Sequence, residues 1–346
     1  MTGDYLWDRS GVPDLDVVRL ERVLGVLREA DRHARPLVFP AAVTLKLKLK
    51  TRRPSMASII MLTALAATVV ALIAVSWRGV SAPAPGLEVT RIEGTPTIGS
   101  SPITDRLELR AGHWLETNDQ SRASVDIASI GRVEVEPGTR LGLISTRPGQ
   151  HRLQLTRGTM HALIWAPPGQ FAVETPSSVA VDLGCAYTLT VDEDGVGHIR
   201  VTTGWVGFEW RGRESFIPAG AVCLTRPALG PGTPYFEDTS ASFHAALEEL
   251  DLQAGTPATR SAALDRILAE ARAKDTVTLW HLLSRVDRPE RGRVFDRLAQ
   301  FVPPPSGVTR DGVLAGQKQM LDDWWDTLGL GAANWWRVWK QQWREK

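Results

Sequence analysis

Glu134 and Glu136 stand two residues apart in GRVEVEPGT, a spacing that puts both carboxyl groups on one face of an extended segment. Paired carboxylates can divide acid and base roles in hydrolysis. Solvated strand positions explain the spacing more simply, because Val133 and Val135 alternate with them as an apolar face. The chain has two cysteines, Cys185 and Cys223. They read either as one disulfide in an oxidising compartment or as two small buried groups within strands. Seven histidines are scattered, and none is spaced from a cysteine as a zinc site requires, so no metal centre is expected. His198 and His281 read as ordinary strand and helix residues. No GxSxG, P-loop, HExxH or SxxK occurs. Catalysis needs a nucleophile with its base, a metal shell or a phosphate cradle. The expectation is a protein that is not an enzyme, with no catalytic, cofactor-binding or metal residues and no cofactor.

The elements that must hold these residues fall into two kinds. From Leu87 to about Pro227, β-branched and apolar residues alternate with polar ones and are interrupted every eight to twelve residues by Gly, Pro, Asn or Asp. Such spacing predicts an all-β sandwich, roll or short solenoid. Glu134, Glu136, Arg152 and Gln154 face water, while Val133, Val135, Leu153 and Leu155 face inward. The run DEDGVG (Asp192–Gly197) reads as a hairpin turn with Gly195 supplying positive φ, and Pro137–Gly138 reads as another. After Pro234 the apolar spacing changes to three and four, which predicts four or five short antiparallel helices over residues 235–346. Asp275 is placed to cap one of them, and Pro303–Pro305 to end another. Seven of the thirteen tryptophans follow Val277, and Trp335, Trp339 and Trp343 repeat every four residues among Arg337, Lys340, Arg344 and Lys346. That tail can close the helical core, lie in a membrane interface or anchor a partner.

Composition sets the wider frame. A net charge of +1 with 43% hydrophobic residues excludes a nucleic-acid-binding basic protein and a disordered acidic tail. Residues 55–77 carry no charge, and Lys46, Lys48, Lys50, Arg52 and Arg53 stand just before them. About twenty apolar residues span the hydrocarbon core of a bilayer as a helix, and cations upstream favour a cytoplasmic N-terminus. The run is too long and too far from residue 1 for a cleaved signal peptide. The domain reading is a cytoplasmic head over 1–53, a transmembrane helix over 54–77, a linker over 78–86, a periplasmic β domain over 87–234 and a helical domain over 235–346. In the head, Pro13 opens a helix with Asp14 and Asp16 in its first turn. Val17, Leu20, Leu24 and Leu27 then form one apolar stripe among charged residues. So short a helix is marginal alone, and the stripe either takes a protein partner or packs on Tyr5, Leu6 and Trp7 or on lipid.

The β region resembles the FecR domain over about 130 residues. The resemblance rests on the order and spacing of Gly112, Thr117, the turn Pro137–Gly138–Thr139, Gly158, the strand Phe171–Val173–Thr175–Pro176, then Gly184, Tyr187, Val201, Gly204 and Val206. It implies an inner-membrane sensor whose cytoplasmic head acts as an anti-sigma factor on an extracytoplasmic-function sigma factor. The head lacks the His-x3-Cys-x2-Cys of zinc-binding anti-sigma domains, and residues 235–346 differ from the segment by which typical members meet an outer-membrane receptor, so coupling to siderophore uptake is not expected. The alternative is an envelope-binding or scaffold protein whose β domain holds glycan or protein and whose head only anchors it.

Overall fold

A computed structural model describes residues 86–252 and 255–330, all within one compact unit of the chain. Val17, Leu20, Leu24 and Leu27, the apolar run 54–77 and the Trp-rich tail from residue 331 lie outside the described residues. Among the described residues, no helix is long and apolar enough to cross a membrane.

Alternating residues build strand after strand. The chain passes through β1 (Leu87–Glu93), the short β2 (Thr97–Ile98) and β3 (Ser101–Pro102), then β4 (Arg106–Leu109), β5 (Trp114–Glu116) and β6 (Arg122–Ile127). It continues through β7 (Gly131–Val135) and β8 (Arg140–Arg147) to the fifteen-residue β9 (Gln150–Ile164). A second run follows: β10 (Phe171–Glu174), β11 (Val179–Asp182), β12 (Ala186–Val191), β13 (Gly197–Thr203), β14 (Trp205–Trp210) and β15 (Arg213–Pro218). It closes with β16 (Ala221–Arg226), β17 (Gly230–Pro231) and β18 (Tyr235–Phe236).

These strands make two layers. The first runs β4-β1-β6-β7-β9-β12-β13-β16, with β17 and β18 beyond. The second runs β3-β2-β5-β8-β9-β10-β11-β14-β15, antiparallel throughout except for β9 with β10. β9 belongs to both: Gln150–Arg157 pair with β8, and Gly158–Leu163 pair with β12. Val89, Val125, Val133 and Leu189 from one layer meet Leu115, Leu141, Leu153, Phe171 and Phe208 from the other, all at most 1% exposed. Burial of that apolar face is the main force holding the layers together.

The Asp192–Gly197 turn is a hairpin between β12 and β13, with Gly195 at φ 77° and Asp192 Oδ1 accepting from the Asp194 and Val196 amides. Pro137–Gly138 is not a hairpin. β7 and β8 lie in different layers, and the turn carries the chain across. Thr139 fixes that corner: its hydroxyl donates to Thr159 O and accepts from the Thr159 amide, and its own amide donates to Thr117 Oγ1. Gly158 makes the close approach possible, at φ 91° and with no room for a Cβ, which would lie 2.4 Å from Thr139 Cα.

Six helices follow among the described residues: α1 (Ala241–Asp251), α2 (Pro257–Glu270), α3 (Thr276–Leu283), α4 (Arg288–Phe301), α5 (Arg310–Leu314) and α6 (Lys318–Trp325). Ser240, Thr256 and Thr309 cap α1, α2 and α5 through their side-chain oxygens. Asp275 precedes α3, but its carboxylate makes no cap bond to that helix and instead closes a capping box on the 3-10 turn Ala273–Asp275. Both oxygens are held by Arg272 through its amide, Nε and Nη2 at 2.8–2.9 Å, because a fork of charge-assisted bonds outweighs a single cap. A second core lies between the outer side of the β10-β11-β14-β15 layer and the helices. There Ala172, Val181, Leu183 and Phe216 pack with Leu264, Leu279, Leu282, Trp324 and Trp325. Trp325 meets Trp205, Phe216 and Trp280 edge-on at 4.6–5.9 Å between ring centroids.

Candidate functional site

Glu136 does not stand free beside Glu134. It pairs with Arg122 at 2.5 Å and lies 3.3 Å from His161 Nε2. The two cysteines are separate, buried thiols, so the bridged alternative does not form. The Cys185 thiol donates to Asp182 Oδ2 at 2.5 Å, and the Cys223 thiol donates to Gly232 O at 3.1 Å. Burial pushes the Cys223 thiol up to about 12 and Cys185 higher still, which leaves neither as a nucleophile near neutral pH.

Asp182 is 1% exposed, and burial raises its carboxyl to about 7. Its other oxygen accepts from the Gly184 amide at 2.7 Å, in the tight turn where Gly204 passes the Gly184 carbonyl too closely for any side chain. The native state therefore favours the protonated acid. Its contribution to stability is full below the unfolded carboxyl range and is lost as pH rises through about 7. The wild-type profile also carries the opposing titration of His281, so the Asp182 contribution is read as a difference: relative to the wild type, Asp182→Asn gains Tm as pH rises from 5 to 8, measured by calorimetry at each pH.

The densest polar arrangement lies where β15 meets the helices. Arg213 opens β15, Asp251 ends α1, and Arg285 follows α3. Asp251 Oδ1 accepts from Arg213 Nη2 at 2.9 Å and from the Thr233 hydroxyl at 2.9 Å, with Arg285 Nη1 at 3.5 Å; Oδ2 accepts from the Thr233 amide at 2.5 Å. The Arg285 side chain is 8% exposed and also donates to Thr233 Oγ1, Glu214 O and Ser215 Oγ at 2.7–2.8 Å. Burial lowers it to about 10, so it remains a cation at neutral pH. One turn earlier, His281 Nδ1–H donates to Val277 O at 2.7 Å, and Nε2 accepts from the Phe216 amide at 3.0 Å. Burial drives His281 down to about 3, with Arg285 acting in the same direction, so the ring is neutral. α3 and the residues after it thus satisfy the outer edge of β15, which would otherwise expose pairing groups.

Beside this network a cleft of about 570 Å³ opens between the β14–β15 turn, α3 and the start of α6. Phe216, Trp280 and Leu321 give it apolar walls, Arg285 and His281 lie at its side, and Arg211 and Lys318 stand exposed at its mouth. Trp280 is fixed by its Nε1–H donating to Leu321 O at 2.8 Å. The size suits a ligand pocket, and the lining is mostly polar, with Phe216, Trp280 and Leu321 as its apolar side chains. Chemically it can bind and orient; among the described residues it carries no nucleophile with a base, and no group of three metal-binding side chains occurs.

His281 was visible in the sequence only as a helix residue, and Arg213, Asp251 and Arg285 were not singled out. The one signal was TLWHLLSRV, where His281 and Arg285 interrupt an apolar helix four residues apart and so share a face.

Comparison with protein-family models and with curated proteins found no match. Among solved structures the chain is similar to two of a candidate anti-sigma factor from Parabacteroides distasonis ATCC 8503. One has 17% identity and a TM-score of 0.32, covering 45% of this chain and 74% of that one. The other has 18% identity and a TM-score of 0.32, covering 44% and 73%. At such scores the likeness carries no argument about the role of this chain.

Proposed function

We propose that this chain is a single-pass inner-membrane regulator of the FecR type, with its N-terminus cytoplasmic and its C-terminus periplasmic. The head carries Val17, Leu20, Leu24 and Leu27 as the contact for a cytoplasmic sigma factor, and residues 86–330 form the sensing part on the far side. One observation carries the reading: an uncharged run over 55–77 follows five cations and divides a short head from a large folded unit. The β region supports it. Gly112, Gly138, Gly158, Gly184 and Gly204, the glycines of the FecR resemblance, all have positive φ at turns or crossings where a side chain would be strained.

The test uses residues 1–53 as bait against a lysate of the native host. Capture of a sigma factor, lost in Val17→Asp with Leu24→Asp while the full-length variant still inserts in the membrane, is the expected result. Undiminished capture by that variant, absence of any sigma factor from the captured material, or a reporter placing the C-terminus in the cytosol would overturn it. Absence of a sigma factor together with correct topology would point to the envelope-binding alternative.

A further inference from the structure

We propose that the cleft between the β14–β15 turn, α3 and α6 is a binding site for a small organic anion carrying a flat apolar group. The inference concerns the described unit and stands independently of the membrane reading.

The walls set the apolar part. Phe216 and Leu321 are buried, Trp280 is half-buried, and Trp280 is held by its bond to Leu321 O, so an aromatic surface is presented in a fixed orientation. A preformed aromatic wall costs little ordering on binding and favours a planar group against it. The cleft volume of about 570 Å³ lies in the range of small-molecule sites.

Charge sets the other part. The Arg285 guanidinium beside the cleft is committed to Asp251, Thr233, Ser215 and Glu214 O, and it contributes field rather than a free donor. The side chains of Arg211 and Lys318 make no ion pair or hydrogen bond among the described residues, Arg211 lies over the Trp210 ring at 5.3 Å, and both are exposed in the lining of the cleft. The two carboxylates of the lining, Glu214 and Asp322, already have partners. His281 is neutral and neither adds to nor subtracts from the field. The uncommitted charge at the mouth is therefore positive, and a ligand that places an anionic group there and a ring against Trp280 satisfies both features.

Isothermal titration of the full chain with naphthalene-2-sulfonate, and with the neutral naphthalene-2-sulfonamide, tests the assignment. One sulfonate per chain is expected, with the sulfonamide binding at least about tenfold more weakly. Arg211→Glu with Lys318→Glu should weaken the sulfonate by at least about tenfold at unchanged Tm, while Arg147→Glu with Arg157→Glu, an equal charge change on the β8–β9 hairpin, leaves it unchanged. Failure of the sulfonate to bind, equal affinity for the sulfonamide, or equal loss in the two double variants would overturn the proposal.

Discussion

Replacing Asp251 by alanine lowers the unfolding free energy by about 3–5 kcal/mol, the loss expected when one member of a buried ionic network is removed. Asp251 lies between two guanidiniums, and both are more than two-thirds buried. Without it, Arg213 and Arg285 face each other with no carboxylate between them, and the Thr233 amide loses its acceptor. The magnitude reflects the orphaned charges rather than any large net worth of the pair, since the same network replaced by apolar groups of similar volume can be neutral. That distinction is measurable. In a double-mutant cycle by urea unfolding, Asp251→Ala combined with Arg285→Met costs clearly less than the sum of the single changes. Strict additivity would show that the three side chains do not act as one unit.

Acidification produces the second large effect. His281, 1% exposed, is kept neutral chiefly by burial, with Arg285 acting in the same direction, while in the unfolded chain it takes a proton near pH 6.5. Its folded value is depressed, so the unfolded state binds the extra proton first. Stability is full above about pH 6.5 and declines as pH falls toward about 3, by about 4–5 kcal/mol in total. His281→Leu separates this contribution from that of the carboxylates. The variant is less stable at pH 7 by about 1–3 kcal/mol, because the Phe216 amide is left without an acceptor. It then loses less on going from pH 7 to pH 4 than the wild type does. Parallel pH profiles for the two proteins, measured by chemical denaturation, would show that the imidazole does not titrate with unfolding.

Much of the β layer was legible because alternation has one physical cause. Val133, Val135, Leu153 and Leu155 face the core as their period-two spacing predicts. Which strand pairs with which was not legible. Pro137–Gly138 has the residues of a hairpin turn, yet Thr139 anchors it to Thr117 and Thr159, and those partners are 20 or more residues away. Helix starts at Ser240, Thr256 and Thr309 follow local chemistry and could be read. Asp275 shows the limit, since the same carboxylate suits a cap and an arginine fork, and only the nearby Arg272 decides between them. The polar network was hidden for a related reason. Arg213, Asp251 and Arg285 come from three separate elements and carry no motif; their significance arises only when the helices close over the edge of β15.

The sharing of β9 between the two layers has a consequence for how the folded unit can transmit anything. Its first half is hydrogen-bonded into one layer and its second half into the other, so sliding of one layer over its neighbour would break a continuous backbone ladder. On the proposed sensor reading, a displacement imposed on the helical side, through α3 and β15, would reach Gly86 as translation or rotation of the two layers together. Messages would be encoded in position and tilt, and not in an internal rearrangement of the layers.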